Sequence, residues 1–84
     1  MTQTLADIIG LTGSALFIAA FAYANVSKQL NKVQFNLANL AGAILLLISL
    51  SVSFNLAATV LEVVWGAIAA AGLIAALLKR RAAR

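Results

Sequence analysis

Glu62 is the residue of this chain best suited to do chemistry inside a membrane. It is the only charged side chain between Lys32 and Lys79, and the segment around it is apolar. A carboxylate at bilayer depth costs about 3 kcal/mol on insertion scales, so such residues usually face other helices or a watery cavity and take part in function. The alternative is a structural role, in which Glu62 only hydrogen-bonds a neighbouring helix. The sequence makes Glu62 the first candidate for binding a solute.

Three further side chains could act together with Glu62. In a helix, Trp65 follows Glu62 by one turn on the same face, and its ring offers a π surface to a cation or a sugar ring. Asn39 supplies an amide that could bind a solute or could equally well serve helix packing. Tyr23 supplies a hydroxyl, although tyrosine is also a common anchor at the membrane interface. We predict solute contacts for Glu62, Trp65, Asn39 and Tyr23.

The residue types that the chain lacks limit its chemistry further. The sequence contains no cysteine and no histidine, and therefore no thiol nucleophile, disulfide or imidazole ligand. A single carboxylate inside the spans has no second acid, base or nucleophile beside it. We therefore expect no enzymatic activity, no cofactor and no metal site.

The composition is that of an integral membrane protein. Of the 84 residues, 64% are hydrophobic and 10% are charged, whereas roughly a quarter of the residues of a soluble domain are charged. The net charge of +4 comes from residues that flank apolar segments, where topology and lipid headgroups explain it better than nucleic acid does. We expect membrane lipid as a partner and no nucleic acid. The first residues lack the basic region of a signal peptide, so we expect no cleaved segment.

The apolar segments are long enough for three membrane spans. Residues 5–24 would cross a hydrocarbon core of about 30 Å. The apolar stretch from Leu40 to Leu78 is about twice too long for one span, and its serine and asparagine residues at 51–55 favour a turn. The sequence therefore predicts an all-α three-helix bundle in one membrane domain, residues 1–84, with spans at about 5–24, 35–53 and 56–78, a loop at 25–34 and a basic tail at 79–84.

Each predicted span carries glycine on one face, twice in the first and third spans and once in the second. In a membrane, small residues let two helix backbones approach closely, and this approach stabilises helix pairs. We predict helix packing at Gly10, Gly13, Gly42, Gly66 and Gly72.

The basic residues predict the orientation in the membrane. Lys28 and Lys32 in the loop, and Lys79, Arg80, Arg81 and Arg84 in the tail, belong on the cytoplasmic side under the positive-inside rule. A topology with three spans places the basic residues of the loop and those of the tail on the same side of the membrane. We expect the N-terminus outside, the loop inside, the turn at 51–55 outside and the C-terminus in the cytoplasm.

Four short motifs follow one another across the predicted spans. They are GLTG at 10–13, AY at 22–23, NLAG at 39–42 and EVVWGAI at 62–68. Their order and spacing, over nearly the whole chain, resemble the CBU-type small-protein family of short bacterial membrane proteins. The resemblance implies a multi-pass protein of the bacterial cytoplasmic (inner) membrane and no particular activity.

The span count and topology also resemble the half-transporters of the SemiSWEET and PQ-loop group. In that group, two three-helix bundles pair in parallel around a central solute site. The chain has no proline, so the Pro-Gln hinge of that group has no counterpart here and only the architecture carries over. The resemblance implies a parallel homodimer, which is also how an odd number of spans can form a pathway from parallel repeats.

Two functions from different classes agree with these observations. In the first, the chain is a transporter-like half-unit that binds a small polar or cationic solute at a dimer interface near Glu62. In the second, it is a structural or accessory protein whose small-residue faces dock onto a larger membrane complex without binding a solute. Stabilisation of the purified protein by a solute would distinguish them.

Overall fold

The computed structural model describes residues 1–82 and contains three α-helices. They are α1 at Gln3–Val26, α2 at Lys32–Leu50 and α3 at Leu56–Ala82. Each helix is long and apolar enough to cross a membrane. The protein is therefore an all-helical membrane protein with three candidate spans. Arg84, the last residue of the predicted basic tail, lies outside the described residues.

Each helix begins after a polar side chain that caps it. The side chains of Thr2, Asn31 and Asn55 accept hydrogen bonds from backbone N–H groups of the first turns of α1, α2 and α3. Such caps satisfy donors that have no partner within the helix. The cap at Asn31 places the start of α2 three residues before the predicted span 35–53, and α2 ends three residues before the predicted end. Residues 51–55 then connect α2 to α3.

Helix α2 lies between the other two helices. It packs against α1 and against α3, whereas within residues 1–82 the backbones of α1 and α3 do not pack together. The bundle is elongated, with extents of 46 × 23 × 20 Å. A groove therefore runs between α1 and α3 along α2.

Small residues form the buried part of the bundle. Among residues 1–82, the buried apolar side chains are alanines, no large side chain is fully buried, and three glycines are buried with the alanines. Lipid tails are as apolar as leucine, so helices in a membrane associate through close packing of small residues. Many large apolar side chains consequently point outward, where lipid or another protein would cover them. The buried small residues are Ala6, Gly10, Gly13, Ala20, Gly42, Ala43 and Ala69.

The two ends of the bundle differ in character. We call the end with the connection 27–31 and the last turns of α3 the basic end, and the end with the connection 51–55 the turn end. At the turn end, the Ser53 hydroxyl donates a hydrogen bond to Oε1 of Gln3 at 2.6 Å. At the basic end, the backbone N–H of Asn31 donates to the Tyr23 hydroxyl at 2.8 Å. Both connections are thus attached to α1.

Candidate functional site

Glu62 is buried between the helices of a single chain. Its side chain is 9% exposed, and its Oε2 atom has no hydrogen-bond partner among residues 1–82. The hydroxyl of Thr59, one turn earlier on α3, is also buried and has no hydrogen-bond partner among the described residues. A threonine in a helix can bond the carbonyl four residues back, but Thr59 makes no such bond. At this level of the bundle, two buried polar atoms therefore lack a hydrogen-bond partner within residues 1–82.

The packing of α3 on α2 explains why Glu62 points inward. One turn beyond Glu62, a Cβ atom built on Gly66 would lie 3.3 Å from the Cβ atom of Ala43 on α2. Glu62 and Gly66 share a face because they are four residues apart. The contact at Gly66 holds this face of α3 against α2. Glu62 thus lies one turn from that contact, on the side of the turn end.

Trp65 and Asn39 form a polar link between α3 and α2. Nε1 of Trp65 donates to Oδ1 of Asn39 at 3.2 Å, and Nδ2 of Asn39 donates to the Phe35 carbonyl at 2.9 Å. The ring of Phe17 on α1 meets the ring of Trp65 edge-on, with 6.0 Å between centroids and 65° between planes. Asn39 is 6% exposed and Trp65 is 47% exposed. This cluster is where side chains of all three helices meet.

Trp65 and Asn39 also line a cavity in the groove between α1 and α3. The cavity has a volume of about 320 Å³, and four of its six lining side chains are aromatic. We call it the aromatic groove; its lining residues are Phe17, Ile18, Phe21, Phe35, Asn39 and Trp65. A second cavity of about 210 Å³ shares Phe35, Asn39 and Trp65 with it. The Asn39–Trp65 pair therefore stands between two cavities.

Tyr23 lies apart from this cluster, towards the basic end. Its hydroxyl accepts the hydrogen bond from the Asn31 backbone, and its carbonyl accepts one from the Ser27 backbone at 2.9 Å. Both bonds shape the connection from α1 to α2. A contact between Tyr23 and a solute stays a prediction.

Of the predicted site residues, the structure thus brings Asn39 and Trp65 into direct contact. Glu62 lies one turn from Trp65 on the same helix, but its side chain enters the α2–α3 interface and does not line the aromatic groove. The groove is also lined by Phe17, Phe21 and Phe35, which were not among the predicted site residues. Phe17 follows Gly13 by four residues and therefore lies on the same packing face of α1. This spacing is the sequence signal that could have identified Phe17.

The predicted packing glycines lie at close helix approaches. A Cβ atom on Gly13 would be 2.8 Å from the carbonyl oxygen of Gly42, and one on Gly42 would be 3.0 Å from the carbonyl oxygen of Gly13. Gly10 lies against Ser49, and Gly72 lies against Asn36. The α1–α2 crossing is thus a contact between two backbones, which positions Phe17 against α2.

Comparison with known proteins places the chain in a family. A family model matches residues 6–81, a segment that includes all three helices except their outermost residues at the two ends. Glu62, Trp65, Asn39 and Tyr23 all lie inside the matched segment. No curated protein and no solved structure matches the chain. Together with the three apolar helices and the motifs in their order, the match shows that the chain belongs to the CBU-type family of short bacterial membrane proteins.

Proposed function

We propose that the protein is a transporter-like half-unit that pairs as a parallel homodimer and binds a small polar or cationic solute near Glu62. The observation that supports this proposal is the buried Oε2 atom of Glu62, which has no partner within the described chain. A buried polar group without a hydrogen bond costs free energy, and a buried charge without a partner costs more. A solute that supplies a positive charge or a hydrogen-bond donor would remove this cost.

The surroundings of Glu62 favour an organic cation among such solutes. The sequence has no cationic side chain between Lys32 and Lys79, so no residue of the spans neutralises the carboxylate. The aromatic groove presents four rings beside the Asn39 amide. Ring faces attract cations, more strongly where water is excluded. A quaternary ammonium or guanidinium group in the groove would thus meet ring faces, and the Glu62 carboxylate, which lies one turn from Trp65 but outside the groove lining, would turn towards it to form the ion pair.

A second copy of the chain would complete the site. In one chain, Ile18 and Phe21 of the aromatic groove are 70% and 71% exposed, so a polar solute there would face lipid tails. Parallel repeats about an axis along the membrane normal are a known way to enclose a solute site near the middle of the bilayer. We propose that two chains pair in the same orientation in the bacterial inner membrane and close the groove between them.

Ligand-induced thermal shift of the purified protein tests this proposal. The panel contains tetramethylammonium, choline, guanidinium and neutral sugars, each added to wild type and to Glu62→Gln. We expect at least one cation to stabilise the wild type, by about 2.7 kcal/mol at a concentration 100 times its Kd. Glu62→Gln keeps the size of the side chain and removes the charge, so the stabilisation should disappear. Asp7→Asn is the matched control, because Asp7 is the other carboxylate and is exposed on α1.

The pH dependence of the shift provides a second readout. A proton competes with a cation for the carboxylate, so stabilisation of the wild type should weaken as the pH falls. The Gln variant should show no such dependence. The absence of any shift that depends on both pH and Glu62 would count against solute binding. A Glu62→Gln variant that no longer assembles would instead support the structural or accessory role, in which Glu62 holds helices or a partner complex together.

A further inference from the structure

A cavity at the basic end combines positive charge from two distant parts of the chain. It has a volume of about 620 Å³ and lies between the start of α2 and the end of α3. Three cationic side chains line it: Lys32 from α2, and Lys79 and Arg80 from α3. Two amide side chains and three apolar ones complete the lining, namely Gln29, Asn31, Leu30, Val33 and Ala76. The cavity belongs to neither the aromatic groove nor the Glu62 site.

Within residues 1–82, no acidic side chain offsets the positive charge of this cavity. The chain has two acidic residues: Asp7 lies near the start of α1, towards the turn end, and Glu62 lies inside α3. The start of α2 adds the partial positive charge of a helix N-terminus next to Lys32, and the last turn of α3 carries a partial negative charge that offsets only part of the charge of Lys79 and Arg80. Like charges that converge repel one another, and the repulsion is stronger beside a low-dielectric membrane than in water. An anion in the cavity would relieve it.

The position and the apolar lining indicate which anion. The cavity lies where α3 changes from the apolar residues that end at Leu78 to the basic Lys79–Arg81, which is the level of the lipid headgroups. The side chains of Leu30, Val33 and Ala76 give the same cavity an apolar part. A free phosphate ion would gain nothing from an apolar surface, whereas a phospholipid would place its glycerol and acyl carbons there. Basic pockets between membrane helices are known to bind anionic headgroups.

We propose that this cavity binds the phosphate of one anionic phospholipid, held by Lys32, Lys79 and Arg80. The proposal is independent of any solute at Glu62. Orientation in the membrane requires only that this end be basic, whereas lipid binding requires Lys32 and Arg80 at their positions in the cavity. Lys28 and Arg81 contribute the same charge to the same end, but they do not line the cavity. These two pairs of residues therefore form a matched comparison.

Native mass spectrometry of the detergent-purified protein tests the proposal, with phosphatidylglycerol as the anionic lipid and phosphatidylcholine as the zwitterionic one. We compare wild type, the site variant Lys32→Gln/Arg80→Gln and the control variant Lys28→Gln/Arg81→Gln. A cation near a membrane surface contributes about 1 kcal/mol, so the loss of two should weaken phosphatidylglycerol binding by about 30-fold in the site variant. The control variant should stay within about threefold of wild type, because its charges are more distant and screened.

Several results would overturn the proposal. Equal weakening in the site and control variants would mean that only the total charge matters. Equal binding of phosphatidylcholine by the wild type would mean that the headgroup charge is not recognised. If inorganic phosphate stabilised the protein as much as phosphatidylglycerol does, the ligand of the cavity would be a free anion and not a lipid. If the double variant does not fold, Arg80→Gln against Arg81→Gln gives the same comparison with one charge each.

Discussion

Asn39 and Glu62 are two buried polar side chains with opposite outcomes. Asn39 is satisfied, since its amide bonds Trp65 on one side and the Phe35 carbonyl on the other. Glu62 keeps one oxygen without a hydrogen-bond partner in the part of the chain that the structure describes. A buried polar group without a hydrogen bond costs about 1 to 3 kcal/mol of stability. A ligand would therefore remove such a cost at Glu62 but not at Asn39. Asn39 can shape a site without a solute. Glu62 gains a hydrogen-bond partner only from a solute or from a second chain.

The Asn39–Trp65 hydrogen bond can be measured directly by a double-mutant cycle. Asn39→Leu removes the acceptor, and Trp65→Phe removes the donor while keeping an aromatic ring. We expect a coupling free energy of about 0.6 kcal/mol, the average for hydrogen bonds between membrane helices, and at most about 1.7 kcal/mol. The measurement is the free energy of unfolding in mixed micelles.

The control for this cycle uses another asparagine. Nδ2 of Asn25 donates to the Phe21 carbonyl within α1, and Asn25 is exposed. Asn25→Leu combined with Trp65→Phe should therefore show additive effects. Additive effects in the Asn39 cycle as well would mean that the hydrogen bond does not hold the helices together.

At the scale of the helices, two neighbouring residues of α2 set the shape of the bundle. Gly42 meets α1 at Gly13, and Ala43 meets α3 at Gly66. Consecutive residues of an α-helix point about 100° apart, so α1 and α3 sit about 100° apart around α2. With neighbouring axes 8 to 10 Å apart, the axes of α1 and α3 are then about 12 to 15 Å apart. This distance is too large for backbone contact but is spanned by the rings of Phe17 and Trp65.

The two glycine contacts should respond differently to the same substitution. In Gly13→Ala, the new Cβ atom would lie 2.8 Å from a backbone oxygen, which cannot move away without shifting α2. In Gly66→Ala, the nearest atom is a methyl carbon at 3.3 Å. Overpacking typically costs about 1 to 3 kcal/mol, and we expect this loss for Gly13→Ala but less than about 1 kcal/mol for Gly66→Ala.

Thermal unfolding of the two alanine variants in the same detergent measures this difference. Gly66→Ala serves as the matched control, because both changes add one methyl group to a helix and raise helix propensity equally. Equal stability of the two variants would mean that α1 and α2 do not cross at Gly13 and Gly42.

At the scale of the molecule, charge is distributed unevenly along the bundle. Every lysine and arginine of the described residues lies at the basic end, and Asp7 lies towards the turn end. An even distribution would leave the orientation open, whereas this one favours a single orientation under the positive-inside rule. We propose that the basic end is cytoplasmic.

Reporter fusions test this orientation. A reporter active only outside the cytoplasm should work when fused before Met1 and fail when fused after the basic tail, because the basic residues retain their end inside. A reporter active only in the cytoplasm is the control and should give the opposite pattern. A cytoplasmic N-terminus would contradict the proposed orientation and, with it, the cytoplasmic placement of the lipid cavity.

The sequence by itself determined the three helices, their approximate ends and their membrane character. These features depend on local properties: apolar length, capping residues such as Asn31 and Asn55, and the polar turn at 51–55. The glycines that approach other helices were also predictable, since small residues are what membrane helices pack with. The start of α2 lies three residues before the predicted span 35–53 because hydropathy does not register the cap at Asn31.

Only the tertiary structure decided which side chains meet. The spans are apolar on nearly every face, so a helical pattern of polar and apolar residues, which sets helix rotation in soluble proteins, is largely missing. Rotation and register depend instead on backbone contacts such as Gly13 with Gly42. Those contacts turn Glu62 into the α2–α3 interface, pair Trp65 with Asn39, and bring Lys32 beside Lys79 and Arg80. Each of these pairings joins residues from different helices, and no local pattern encodes them.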